Sequence, residues 1–473
     1  MKKRIAILLA LAITLSLGAC SSKPAGSNTE PPSYDFSSNS ENTDAPSQFP
    51  TKTVILSVVH PDFALSNGLI EPVTQLAEAP EQFIPLTSEE EFDKIRLNPT
   101  ANYILMADMD LSQIDFETIR PDGGFSGILD GNGYTVSNVN TTLLGHVDGG
   151  VIRNLKISGD LIECNASLAE NVESSTIVNC SFTGSIEWYP GYDRGTTNGT
   201  MAGLISSMED TVLYSCYNEG SVFGDSSTSI GGIVGRADGN CTILNCFNAG
   251  TLTNQNGDRD TDLGGIVGYS DTTSGSSLYL SYCRNTGTLE NHSDIVSAGI
   301  VGHMSVRGGG QILIDICYNE GSIGWGNSAI AYVEDIHEDS YITITNCYNY
   351  SENLEQAINI ADCSSKEPGI NNISIAHCYN IGDACYGGIS GNCKNLQDCY
   401  YLSDADIDRA TKDGALFSDV KGLTLDEMKK QDSFVGFNFD TVWQMGGNDY
   451  PYPVFKAVSY LPEEGIGRSP SAC

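Results

Sequence analysis

Gly232-Ile233-Val234-Gly235 and, ten residues on, Asn245-Cys246-Phe247-Asn248-Ala249-Gly250-Thr251-Leu252-Thr253 decide the fold, because both halves recur along the chain. The cysteine of the second half returns as Cys180, Cys216, Cys246, Cys283, Cys317, Cys347, Cys378 and Cys399, at intervals of 36, 30, 37, 34, 30, 31 and 21 residues. Three residues before each lies an apolar side chain: Ile177, Leu213, Ile243, Leu280, Ile314, Ile344, Ile375 and Leu396. Asn follows two residues after six of them (Asn218, Asn248, Asn285, Asn319, Asn349, Asn380), and Gly four after in six cases. The first half recurs as Gly265-Ile266-Val267-Gly268, Gly299-Ile300-Val301-Gly302 and Gly388-Ile389-Ser390-Gly391. A period of about 30 residues without helical patterning marks a solenoid.

Side chains alternate along a strand, so an apolar residue at −3 and a cysteine at 0 cannot share one face of a flat strand. The chain must bend between them. Three short strands with sharp corners per turn make a right-handed parallel β-helix, with Asn and Gly expected at the corners because both tolerate left-handed backbone angles. The expected fold is all-β, a β-solenoid of about ten turns at ~4.8 Å each, with small caps holding short helices. Open solenoid ends expose strand edges and need such caps. Thr87-Ser88-Glu89-Glu90-Glu91 and Thr424-Leu425-Asp426-Glu427 offer capping boxes. Val54–Val59 and Tyr103–Met106 read as strands near the first cap, and Phe434, Phe437, Phe439, Val442 and Trp443 as a seal over the last turn.

With the repeat laid out, it resembles the GLUG repeat of bacterial surface proteins over roughly residues 125–400. Asp130-Gly131-Asn132-Gly133 resembles the opening turn of such solenoids, and Phe437–Trp443 with Tyr450-Pro451 their closing segment. The resemblance implies a surface-displayed β-helix and brings no catalytic residues. GLUG-like repeats also resemble segments attached to certain bacterial IgA-cleaving metalloproteases. A zinc protease needs His-Glu-x-x-His, and the nearest string, His337-Glu338-Asp339-Ser340-Tyr341, lacks the second histidine.

Lys2, Lys3 and Arg4, then an apolar run from Ile5 to Leu17, form a secretory signal. Its ending, Leu17-Gly18-Ala19-Cys20, resembles a lipobox, which implies acylation of Cys20 and a membrane partner through that lipid. Residues 21–50 hold eight Ser and five Pro, too few apolar groups for a core. The expected layout is signal 1–19, lipidated cysteine and tether 20–50, N-terminal cap 51–124, repeats 125–402, and C-terminal cap and tail 403–473. The expected location is the extracytoplasmic face of a bacterial membrane. A net charge of −36 argues against a nucleic-acid or anionic-membrane partner, which needs clustered Lys and Arg. It reads first as the solvated acidic surface of an extracellular protein, and otherwise suits a basic or metal-bearing partner.

The eight register cysteines read as an inward column of stacked free thiols. Their in-register spacing of ~4.8 Å exceeds the ~3.8 Å Cβ separation of a disulfide. A few bridges among Cys164, Cys241, Cys363, Cys385 and Cys393 stay open, since secreted proteins favour them. No metal or other cofactor is expected. The Asn column reads as stacked amide hydrogen bonds, and Asp130–Gly133 as a tight turn rather than a calcium loop.

No catalytic set assembles in the sequence. The expected function is therefore non-catalytic adhesion or binding of a glycan or protein, with a polysaccharide-cleaving β-helix enzyme as the alternative. The Gly-Ile-Val-Gly strands read as presenting small and apolar groups, unsuited to paired catalytic carboxylates. The candidate binding residues are Trp188, Tyr189, Tyr192, Asp193 and Arg194 in an enlarged turn. Trp325 shares their register, both tryptophans lying eight residues after a column cysteine. Exposed rings beside polar groups suit sugar stacking or a protein hot spot.

Overall fold

The computed structural model describes residues 73–188, 199–224, 229–254, 262–273, 275–291, 296–324, 328–350, 359–363, 371–382, 388–390, 393, 395–403, 419–448 and 450–456. Each repeat lays one strand beside its equal in the turn before, always parallel. Leu213 pairs with Ile177 and Ile243, Ile243 with Leu280, Leu280 with Ile314, and Ile314 with Ile344. Three long parallel sheets result, and among the described residues only the hairpin Trp443–Met445 with Pro453–Phe455 is antiparallel. This is a parallel β-helix, whose strand–crossover–parallel strand connections take the right hand. The first sheet runs in chain order through twelve strands, from Ile84–Leu86 to Asn395–Gln397. Its first two, Ile84–Leu86 and Tyr103–Leu105, fall in the segment expected to be a cap, so the coil begins two turns early.

Apolar side chains of all three sheets converge in one buried cluster that includes the Ile/Leu column and all eight register cysteines. Burying each such Ile or Leu contributes roughly 1.5–3 kcal/mol, and repetition builds the core turn by turn. Phe92 and Ile95, from the helix Glu89–Asp93 and the 3₁₀ turn Lys94–Leu97, join this cluster. Ser88 caps the helix, accepting from the Glu91 amide, while the Glu91 carboxylate accepts from both the Thr87 amide and hydroxyl at 2.7 Å. Thr424 and Glu427 form the complete reciprocal box. Val54–Val59 lies outside the described residues.

The corners differ from the expectation. The left-handed residue sits immediately before each cysteine, as Asn179, Ser215, Asn245, Tyr282, Ile316, Asn346, His377 and Asp398, with φ between 47° and 56°. The rotation there puts both the residue at −3 and the cysteine on the inside. Left-handed backbone costs a non-glycine residue roughly 1–2 kcal/mol. Ile316 tolerates it inside a second hydrophobic cluster, which holds it in place.

The Asn two residues after six of the cysteines therefore has another role. Asn218, Asn248, Asn285, Asn319, Asn349 and Asn380 are fully buried. Each of the first five donates from Nδ2 to the Oδ1 of the next, at 2.8–2.9 Å. Glycine flanks this ladder on both sides for lack of room. A Cβ on Gly265 would lie 2.6 Å from the Asn285 side chain and 2.0 Å from the Gly299 carbonyl. One on Gly287 would lie 2.6 Å from Asn248 Nδ2. The Gly-Ile-Val-Gly and Asn-x-Gly motifs are thus two sides of one narrow passage.

The C-terminal aromatics do not enter the interior cluster. Residues one after each cysteine point outward, and Tyr348, Tyr379 and Tyr400 form an external cluster with Phe434, Phe437, Trp443 and Phe455. Tyr318, Tyr348 and Tyr379 stack face to face at 4.7 and 5.1 Å. Trp443 Nε1 donates to Asn346 Oδ1 at 3.4 Å, and the Tyr379 hydroxyl donates to the Pro453 carbonyl at 2.5 Å. The segment is a clamp along the outside of the second, fifteen-stranded sheet, which includes Tyr318–Asn319, Tyr348–Tyr350, Tyr379–Ile381 and Cys399–Leu402.

Candidate functional site

Each Gly-Ile-Val-Gly corner runs on into a strand of the third sheet: Val234–Asp238, Val267–Thr272 and Val301–Val306. Alternation over the last three residues sends Ala237 inward, and Arg236 and Asp238 outward, after a buried Val234 and Gly235. Parallel register then stacks the outward residues into columns. One column reads His146, Asn171, Ser207, Arg236, Tyr269, His303. The other reads Asp148, Glu173, Glu209, Asp238, Asp271, Ser305, Asp335. Five successive turns thus place a carboxylate on one line, ~4.8 Å apart at the backbone.

The two columns are cross-linked. Arg236 Nε lies 2.5 Å from Asp238 Oδ2, and its guanidinium sits 4.9 Å over the Tyr269 ring. That ring lies 4.8 Å from His303, which in turn meets Tyr332 edge-on at 6.3 Å. Arg307 Nη2 lies 2.6 Å from Asp271 Oδ2. His303 bridges two acids, Asp262 from Nδ1 at 2.9 Å and Glu334 from Nε2 at 2.7 Å. Asp262 Oδ2 also accepts from the Ser229 hydroxyl at 3.0 Å.

Electrostatics follow from this geometry. Burial acts to lower the His303 pKa, but the bond and charge of Asp262, then Glu334 and Asp271, outweigh it and raise the pKa. Burial likewise opposes the Arg236 charge, and Asp238 more than compensates. Glu209 is raised, by burial and then by repulsion from Asp210, Glu173 and Asp238. Burial raises Tyr269 too, with Asp271 adding to it.

The arrangement suits contact with an extended partner whose repeat follows the turns. It does not suit sugar stacking, because Tyr269 has Arg236 on one side and His303 on the other. Among the described residues, no group of three or more His, Cys, Asp or Glu is placed to hold a metal ion. Asp130 is ion-paired to Arg153 at 2.8 Å, and Asn132 and Gly133 make a left-handed tight turn.

Of the residues singled out in the sequence, Trp188 is half-buried and packs on the interior cluster, so it is not a freely exposed ring. Its amide donates to the Phe223 carbonyl at 2.9 Å. Cys20, Tyr189, Tyr192, Asp193, Arg194 and Trp325 lie outside the described residues. The eight register cysteines are buried and free. Sequence reasoning passed over Arg236, Asp238, Tyr269, Asp271 and His303 by stopping at the second glycine of each motif. The next three residues, Arg-Ala-Asp, Tyr-Ser-Asp and His-Met-Ser, carry the signal.

No family model matches the chain. A 176-residue stretch, 34% of this chain and 2% of its relative, is 32% identical to Halomucin of Haloquadratum walsbyi. The chain therefore spans only a small fraction of the curated relative it matches. A solved IgA1 protease is similar at 15% identity and a TM-score of 0.40, over 76% of this chain and 26% of that one. A putative immunoglobulin A1 protease from Bacteroides ovatus is similar at 16% identity and a TM-score of 0.25, over 79% of this chain and 91% of that one.

Proposed function

We propose that this is a lipid-anchored bacterial surface protein whose β-helix binds an extended, basic protein segment along the outer face of the third sheet, without catalysis. The observation that carries the reading is the in-register acidic line from Asp148 to Asp271, beside the Arg236–Tyr269–His303 column. A line of carboxylates with regular spacing complements an extended segment bearing Lys or Arg, and a complementary field speeds its capture. The secretory and lipobox-like leader, the polar tether, the GLUG-like repeats and the net charge of −36 support surface display. The partial similarity to Halomucin points the same way.

One observation favours the alternative of a polysaccharide-cleaving enzyme. Glu209 and Asp238 are register partners on neighbouring turns, and Glu209 has a raised pKa. Retaining glycosidases hold an acid and a nucleophile about 5–5.5 Å apart. Against it, Arg236 neutralises Asp238.

An array of basic peptides and of neutral and acidic glycans, probed with the soluble fragment 51–473, tests the choice. Wild-type protein is expected to retain basic peptides, and Glu173→Gln/Glu209→Gln protein, changed on two neighbouring turns of the line, to lose them. Retention of glycans instead, with shortened products appearing, would overturn the reading in favour of the enzyme.

A further inference from the structure

We propose that the interior cysteine column is a binding site for soft, linearly coordinating d10 cations, each held between the thiolates of two neighbouring turns. The column is in strict register. The amide after each cysteine donates to the carbonyl of the cysteine one turn earlier, as Tyr217 to Cys180 and Phe247 to Cys216, both at 3.0 Å. Each thiol lies beside the next, from Cys180 to Cys399. All eight are fully buried and unbridged.

The spacing selects the chemistry. A rise of ~4.8 Å per turn stretches a disulfide, whose Cβ atoms prefer about 3.8 Å. The same rise is about twice a metal–thiolate bond of ~2.3 Å, so one cation fits midway between two stacked sulfurs. Zinc is disfavoured because it requires four converging ligands, and a column offers each point only the sulfur above and the sulfur below. Soft ions that accept two thiolates in a line suit it.

Charge favours the divalent case. Two thiolates neutralise a divalent cation, whereas a monovalent one leaves a net negative charge buried, which costs free energy. Each cation bound converts two S–H groups to two S–metal bonds and releases two protons. Because those protons must be displaced, uptake weakens as pH falls.

The test titrates reduced, full-length protein with Hg(II) under anaerobic conditions, reading bound metal after desalting and the sulfur shell by X-ray absorption. Two variants each lose four column thiols. Cys216→Ala/Cys283→Ala/Cys347→Ala/Cys399→Ala leaves no neighbouring pair, and Cys317→Ala/Cys347→Ala/Cys378→Ala/Cys399→Ala leaves four contiguous thiols. Above the background from cysteines outside the column, at two thiols per linear site, wild type should bind about four cations. The contiguous variant should bind about two and the alternating variant none, with β-sheet circular dichroism retained. Equal uptake by the two variants would overturn the proposal, as would a shell of three or more sulfurs or uptake that abolishes the β signal. Should a variant not fold, the wild-type spectrum decides: two sulfurs at about 2.3 Å support the site. No uptake by folded protein, where unfolded protein takes up metal, refutes it.

Discussion

Asn285 sits mid-ladder, and Asn285→Ala should cost the β-helix about 3–5 kcal/mol. Its Nδ2 donates to Asn319 Oδ1 at 2.8 Å and to the Gly287 carbonyl at 3.2 Å, while its Oδ1 accepts from Asn248 at 2.8 Å. Truncation orphans one N–H on Asn248 and the Oδ1 of Asn319, both fully buried. Each orphaned buried group costs about 1–3 kcal/mol, and the small void adds to this. A trapped water with three polar partners would recover part of the loss, which sets a floor near ~2 kcal/mol. The assay is urea unfolding followed by circular dichroism, with the m-value unchanged so that the midpoint reports stability. Asn248→Ala/Asn285→Ala should cost less than the two single changes added together, since each single change orphans the other's partner. A loss below about 0.5 kcal/mol, the level of an unremarkable surface change, or strict additivity, would refute the ladder as a cooperative element.

Three further outcomes follow from local chemistry. Burial raises the Asp315 pKa from 3.8 to about 6, against the lowering effects of its bonds with Asn346 and the Ile316 amide. The folded state therefore holds the proton more tightly between those values, and stability falls as pH rises from about 4 to about 6. Asp315→Asn should stabilise the protein at pH 7 by about 2–3 kcal/mol and change little below pH 4, as thermal melts at the two pH values would show. His303 behaves oppositely: its raised pKa contributes stability that is complete below 6.5 and lost as pH rises through the folded value. His303→Gln should therefore destabilise at pH 5.5 more than at pH 9, and equal losses would show that the Asp262 and Glu334 contacts carry no charge term. Trp443 is fully buried, with ring neighbours at 4.6 and 4.8 Å. Trp443→Ala should cost about 3–5 kcal/mol, releasing 425–456 to limited proteolysis while the β signal persists.

The fold was legible because solenoid turns repeat their chemistry. The Ile/Leu at −3 and the cysteine at 0 are fixed by one interior, so spacing alone revealed the stack. The corners were misplaced because a left-handed bend is a backbone property. Tyr282, Ile316 and His377 take it as readily as Asn179 when neighbouring turns hold them, and their side chains give no sign of it. Asn at +2 was legible as an amide ladder but not as an interior one, since polar side chains read as surface until each finds a partner one turn away. The C-terminal aromatics were legible as buried, yet their docking depends on the outward tyrosines at +1, beyond any local pattern. At the candidate site, Arg236, Tyr269 and His303 differ in type, so no repeat marks them; only register makes them neighbours.

The acidic line of the third sheet as a binding face is tested most directly by calorimetric titration of the best basic peptide from the array. Wild-type and Glu173→Gln/Glu209→Gln fragments are compared at low and physiological salt. Two lost ion pairs at a partly desolvated face should weaken binding by at least ~10-fold, about 1.4 kcal/mol. The wild-type affinity should fall with salt more steeply than that of the variant. An unchanged Kd with unchanged salt dependence would contradict the assignment and place the partner on another surface.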